Sequence, residues 1–166
     1  MGARGSELEK TAKKANIKYR KEKSALIEKV PTPIMITNDG LIPKPSTVDF
    51  VGLLDGGQFL AFDAKQTKVK TRFDLKNIHA HQRAYLNYVE SLEGIAFFLV
   101  HFTELFDDKA YIAPMWFINY WWNTDKRKSI PYDEFPEHCI LVEIDNYLNF
   151  LNEYDWFQWI KEKRAY

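Results

Sequence analysis

Residues 47–65 read TVDFVGLLDGGQFLAFDAK, two strand-like runs around Asp55-Gly56-Gly57. Asp-Gly and Gly-Gly are favoured hairpin turns because glycine takes positive φ without steric cost. With residues 55–57 as the loop, Leu54 faces Gln58, Phe50 faces Phe62, Asp49 faces Asp63 and Thr47 faces Lys65. Side chains alternate faces along a strand. Thr47, Asp49, Asp63 and Lys65 therefore share one side of an otherwise apolar hairpin. A two-residue loop at Gly56-Gly57 would instead set Asp49 opposite Ala64 and break up the group.

Two like charges opposed across a strand pair cost up to about 1 kcal/mol, and more where water is excluded. A divalent cation reverses that sign. Mg2+ takes a couple of carboxylates together with waters and phosphate oxygens, and an adjacent ammonium stabilises charge developing on a phosphate. The plain alternative is two exposed acids and a lysine on a solvated face, since D-x-K is a common triplet.

The chain has 166 residues, 46% hydrophobic and 16% aromatic, with zero formal net charge. That is enough for one domain with a real core, and it excludes a disordered tail. A nucleic-acid protein of zero net charge needs its basic residues segregated. They are segregated: residues 10–29 carry Lys10, Lys13, Lys14, Lys18, Arg20, Lys21, Lys23 and Lys29. Lys65, Lys68, Lys70 and Arg72 form a second group, and Lys126, Arg127 and Lys128 a third. The single cysteine, Cys139, excludes an internal disulfide and a cysteine-based zinc site. The N-terminus is charged and the apolar run 95–102 is too short to cross a bilayer, so a cytoplasmic protein without membrane contact is expected.

Ser6 with Glu9 forms a capping box that predicts a helix over about 6–22, with Leu8, Ala12, Ala15 and Tyr19 on one face. Its lysine-rich remainder suits either solvent or phosphate. Strands are expected over 24–30 and 34–36, and Pro43 and Pro45 keep 41–46 from being a central strand. A short projecting loop over about 37–46 follows. A polar loop is expected at 66–72, then a helix capped by Asn77 and running to about Leu92. Ile78, Tyr85, Leu86, Val89 and Leu92 form its stripe, and Gln82 interrupts it; a buried amide wants a partner. Residues 95–102 read as a doubly buried central strand. A strand over 109–113, an aromatic helix over 115–123, an irregular piece from Ser129, a strand over 139–143 and a last helix over 146–163 complete a mixed α/β single domain. The aromatics at 116–122 suit core or dimer packing better than base stacking. No phosphate-binding glycine loop and no Ser/His/Asp set is present.

Several stretches together resemble one family. GARGSELE (2–9), PTPI (31–34), TVD (47–49), FDAK (62–65), NIHAHQ (77–82) and KSIP (128–131) resemble, in order, the landmarks of RecU-type Holliday junction resolvases. TVD with FDAK alone is the generic pattern of the PD-(D/E)xK nuclease superfamily. PTPI, NIHAHQ and KSIP at these relative positions make the resemblance specific. It implies a restriction-endonuclease-like fold, a mixed β-sheet flanked by helices, in a homodimer. It also implies Mg2+-dependent cleavage of four-way DNA junctions in recombination and repair, with Mn2+ as a substitute ion. The family's metal-site residues fall on Thr47, Asp49, Asp63 and Gln82, and its stabilising lysine on Lys65, which makes Asp49, Asp63 and Lys65 the implied catalytic set.

The basic clusters add Arg4, Lys10, Lys13, Lys14, Lys68, Lys70 and Arg72 as candidate DNA-gripping cations. Expected partners are branched DNA, a second copy of the chain and recombination proteins. Two departures stand out. Asp63 sits where the family usually has Glu, and only residues 37–46 stand where the family carries a long projection thought to enter the junction centre. The short projection keeps a nuclease of broader branched-DNA specificity open, with a non-catalytic branched-DNA-binding module beside it. The tail beyond about residue 140 matches no landmark and reads as a helical extension.

Overall fold

The hairpin forms with the three-residue loop. In the computed structural model, β4 (Phe50–Leu54) pairs antiparallel with β5 (Phe59–Thr67), setting Phe50 opposite Phe62 and Leu53 opposite Phe59. The Leu54 N–H donates to the Gln58 carbonyl at 2.9 Å. Gly56 and Gly57 take φ of 86° and 82°, which a side chain would strain. The structure describes residues 5–38, 40–44, 46–105, 109–124, 127–142 and 151.

Around the hairpin a six-stranded sheet runs in the order β1-β4-β5-β7-β8-β10. β1 is Ala25–Lys29, β7 Ile95–Phe102, β8 Ala110–Pro114 and β10 Ile140–Val142. β5 and β7 are parallel, as a crossover through a helix requires, and the other pairs are antiparallel. β7 is buried along all eight residues, the pattern of a central strand covered on both faces.

Helix α1 (Gly5–Glu22) covers one face, setting Leu8, Ala12, Ala15 and Tyr19 on Ile27, Phe50, Leu60, Phe62, Phe97 and Leu99. Phe50, Phe62 and Phe97 stack across three adjacent strands, with ring centroids 4.8 and 5.0 Å apart. α2 (Ala80–Ser91), α3 (Met115–Trp122) and α4 (Glu134–His138) cover the other face around Leu86, Val89, Phe98, Phe117 and Phe135. Phe117 and Trp121 of the aromatic helix are buried there, which favours the packing role over base stacking.

Several local expectations are corrected. Residues 40–43 are not loop: β2 (Ile34–Thr37) and β3 (Gly40–Pro43) form a separate two-stranded ribbon. Pro43 is consistent with that, since it sits at the end of an exposed edge. β5 continues through Gln66 and Thr67, and Arg72 opens a further strand, so the polar loop is shorter than expected. That strand, β6 (Arg72–Asp74), pairs with β9 (Ser129–Pro131), a partner some 60 positions away that local pattern does not reveal. Asn77 does not cap α2. A 3-10 turn at Leu75–Asn77 intervenes, Ile78 and His79 are extended, and His79 is the N-cap. Ile78 is buried ahead of the helix rather than on its stripe, and Leu92 is exposed. The last helix expected over 146–163 lies outside the described residues, apart from Leu151, whose N–H donates to the Tyr19 hydroxyl at 3.0 Å.

Gly52 of β4 lies hard against β1: a Cβ there would stand 2.3 Å from the Leu26 carbonyl oxygen and 2.8 Å from Ile27 Cα. Both contacts are backbone and cannot swing aside. Gly52→Ala is expected to destabilise the fold by roughly 2 kcal/mol, in the range of overpacked interiors. Urea unfolding measures it, and an unchanged midpoint would refute the close β1–β4 approach.

Candidate active site

The stacked phenylalanines on one face place two carboxylates on the other. Asp49 precedes β4 by one residue and stands opposite Asp63 in the register Phe50–Phe62 sets. Two backbone contacts hold it. The Val30 N–H donates to the Asp49 carbonyl at 2.8 Å, and the Ala64 N–H donates to Asp49 Oδ2 at 2.9 Å. Asp63 is fully buried.

Gln82 links Asp63 to Lys65. Its Nε2 donates to Asp63 Oδ2 at 2.7 Å, and its Oε1 accepts from Lys65 Nζ at 2.8 Å. Oε1 also accepts from the His79 N–H at 3.3 Å, so the amide ties the start of α2 to the middle of β5. An amide has one donor end and one acceptor end, and only this orientation serves both neighbours. Lys65 Nζ also stands 2.7 Å from Asp63 Oδ1 as an ion pair. The approach is a charge contact rather than an aligned hydrogen bond, which leaves Oδ1 buried without a hydrogen bond.

The electrostatics penalise both acids. Burial pushes the Asp63 carboxyl from its ordinary 3.8 up to about 7; the Lys65 ammonium opposes the shift, while Asp49 and Glu9 add to it. Burial also raises Asp49, against the pull of the Ala64 N–H, with Glu9 again adding to the rise. Glu9 is a residue that sequence reading left as a helix cap. It projects from α1 and ion-pairs with Lys29 of β1 beside Asp49. In the sequence Glu9 closes both the Ser6–Glu9 capping box and the GARGSELE stretch, and neither points it at Asp49.

The remaining candidates divide. Thr47 is exposed, outside β4, and no hydrogen bond joins it to the cluster among the described residues. The adjacent Ser46 carbonyl lies 3.2 Å from His81 Nε2, which brings this stretch to the start of α2. Lys10, Lys13 and Lys14 are exposed on α1. Lys68 pairs with Glu104 at 3.5 Å and Arg72 with Asp74 at 2.8 Å, while Lys70 is exposed between them. Arg4 lies outside the described residues.

The donor set suits a hard divalent cation. Mg2+ is held by one or two carboxylates and keeps waters for the rest, and Asp49 and Asp63 supply two, with Asp63 Oδ1 already in contact with the Lys65 ammonium that a cation there would have to share or displace. No group of three or more His, Cys, Asp or Glu side chains suited to a metal occurs among the described residues.

The profile of the family described as Recombination protein U matches residues 3–155. The chain belongs to the RecU family. A relative in Staphylococcus epidermidis, named Holliday junction resolvase RecU, is 34% identical over 93% of this chain and 81% of its own length. One of the same name in Bacillus cereus is 35% identical over 84% of this chain and 76% of its own. Among solved structures, Archaeoglobus fulgidus Hjc, a Holliday junction resolvase from an archaeal hyperthermophile, superposes with a TM-score of 0.50 at 14% identity. That match covers 79% of this chain and 93% of Hjc. At that identity the likeness speaks to the fold, and it agrees with the restriction-endonuclease-like mixed sheet expected of a RecU chain.

The Asp63 shift sets a pH dependence. Between 3.8 and about 7 the folded protein holds a proton that the unfolded chain has lost. This group's contribution is therefore fully present below pH 3.8 and is lost as pH rises through about 7. In chelator, Asp63→Asn is expected to melt higher than the wild type at pH 8 and to flatten the decline between pH 5 and 8. Thermal scanning checks it; a lower-melting variant at pH 8 would refute the buried charge.

Proposed function

We propose that the chain is a structure-specific endodeoxyribonuclease that resolves four-way DNA junctions by hydrolysing phosphodiesters, with Mg2+ as its working ion and Mn2+ as a substitute. The observation that carries this reading is the buried Asp63–Lys65–Gln82 cluster opposite Asp49. It stands in a chain whose curated relatives are named Holliday junction resolvases.

Asp49 and Asp63 would hold the cation, with Thr47 and Gln82 positioning it or its waters. When bound, a divalent cation polarises a phosphate oxygen and lowers the pKa of water enough to supply a nucleophile at neutral pH. Gln82 fixes Asp63 by Oδ2 and so keeps Oδ1 turned to the site. Lys65 brings an ammonium to the cluster's mouth, where it orients the attacking water or offsets charge on the phosphate in the transition state. In-line attack would leave a 5′-phosphate and a 3′-hydroxyl. The exposed lysines of α1 and residues 68–72 would grip backbone phosphates without reading sequence. The protein would work as a homodimer on branched DNA in the cytoplasm, alongside recombination proteins.

A second reading, a nuclease acting on forks and flaps as readily as four-way junctions, is favoured by the short β2–β3 ribbon, which ends at Pro43. One cleavage assay separates the two, presenting a mobile four-way junction, a three-way fork and linear duplex, each with Mg2+ and with chelator. Paired, Mg2+-dependent nicks in the four-way junction alone are expected. Equal cutting of the fork would establish the second reading, and tight binding without cutting under either ion would sink the enzyme. In the same assay Asp49→Asn and Lys65→Ala should each slow cleavage by at least ~100-fold, the scale of a lost electrostatic group, with junction affinity unchanged. Loss of binding along with cleavage would count against these catalytic roles.

A further inference from the structure

A cleft of about 330 Å3 opens between α1 and β1, lined by Lys13, Asn16, Ile17, Arg20, Ile27, Glu28 and Lys29. Its helical wall follows from spacing. Glu9, Lys13, Asn16 and Arg20 stand at i, i+4, i+7 and i+11, within one narrow stripe of a helix that turns about 100° per residue. At about 1.5 Å per residue, the stripe runs some 16 Å from Glu9 to Arg20. Lys29, which lines the cleft, pairs with Glu9, and both lie within electrostatic reach of Asp49, so the cleft runs close to the carboxylates without including them.

Three cations, Lys13, Arg20 and Lys29, line it, and they differ in how firmly they are engaged. Arg20 pairs with Glu28, both side chains being 62% exposed. Ion pairs of that exposure contribute little, so a phosphate can replace the glutamate. Lys29 pairs with Glu9, and Lys13 is exposed with no ion pair among the described residues. At the floor sits Asn16, only 6% exposed, with a buried carbonyl oxygen that has no hydrogen-bond partner. That oxygen is an acceptor closed off from the cleft, so Asn16 shapes the floor and takes no part in holding an anion.

The strand wall offers donors as well. β1 is the edge of the sheet, paired on one side only, with β4. The Val30 N–H bonds to Asp49 and the Asp55 N–H to the Ser24 carbonyl, so even-numbered residues of this stretch face β4. By the alternation of an antiparallel ladder, Ile27 and Lys29 turn their N–H groups outward.

We propose that this cleft is a phosphate track: it seats backbone phosphates of the DNA strand a few nucleotides from the scissile bond, on Lys13, Arg20 and Lys29. The inference rests on the nuclease reading and adds to it a defined path. Of the α1 lysines singled out from sequence it selects Lys13 and leaves out Lys14, and it brings in Arg20 and Lys29. Because the contacts are to phosphate, they add affinity and salt dependence and carry no base preference.

The test compares two double substitutions of equal charge change, Lys13→Ala with Arg20→Ala and, away from α1, Lys44→Ala with Lys76→Ala. Junction binding is measured by anisotropy in chelator over a salt series, and cleavage at saturating DNA with Mg2+. The first double is expected to bind roughly tenfold more weakly and to lower the log–log salt slope by about 2, one per lost phosphate contact, with cleavage of bound DNA at the wild-type rate. The second is expected to bind as the wild type does. Restoring charge with Lys13→Arg and Arg20→Lys should recover most of the affinity. If the first double melts early, Lys13→Ala alone should lower the slope by about 1. Wild-type binding by the first double, or equal losses in both, overturns the track while leaving the nuclease intact. A wild-type chain that binds no branched DNA overturns the nuclease reading and the track together.

Discussion

Phe50, Phe62 and Phe97 stack on the α1 face of the sheet, and the register of three strands hangs on that stack. A side-chain period of two means that a slip of one residue turns every side chain of a strand to the other face. Slipping β5 would send Asp63 and Lys65 into the layer beneath α1 and bring Phe62 out beneath Gln82. The aromatic side of the hairpin thus places the polar side, although the two share no atoms. The DGG turn does the rest: its two left-handed glycines fix the loop length and leave Asp49 opposite Asp63.

On the polar side the fold accepts an arrangement that works against its own stability. Burial raises the proton affinity of Asp63 and of Asp49 across from it, the charge of Glu9 on α1 adds to both and that of Asp49 to Asp63, and Lys65 offsets only part of this. A core built for stability alone would have apolar side chains here. Local violations of otherwise consistent rules tend to gather at functional sites. Here the violation and the supporting frame are separable: the cost lies in Asp63, and the rigidity in Gln82, the Ala64 N–H and the Val30 N–H.

What could be read from the sequence follows from the range of each contact. The hairpin register was legible because turn chemistry and strand alternation are local. So was Gln82, since an amide on an apolar stripe is conspicuous at any distance from its partner. Glu9 was not, because its approach to Asp49 crosses forty positions and neither its capping box nor the GARGSELE stretch points it there. The pairing of Arg72–Asp74 with Ser129–Pro131 was missed for the same reason. The start of α2 was misplaced because Asn77 is a strong capping residue by type, whereas the buried Ile78 holds the chain extended for two residues more. Thr47, paired with Lys65 on paper, lies outside the strand altogether.

The β2–β3 ribbon exposes Ile34, Ile36, Leu41 and Ile42, an apolar surface on a strand pair with two open edges. Such edges ordinarily recruit further strands and seed aggregation. Here Pro43 closes β3 opposite Ile34, in a pair whose backbone groups face outward, so one donor of that edge is missing. The Lys44 N–H is already turned inward to the Pro33 carbonyl at 2.8 Å. The outer side of β3 is left with one donor, at Leu41, while β2 keeps those of Ile34 and Ile36, so a strand arriving at the ribbon would find its fuller template on β2.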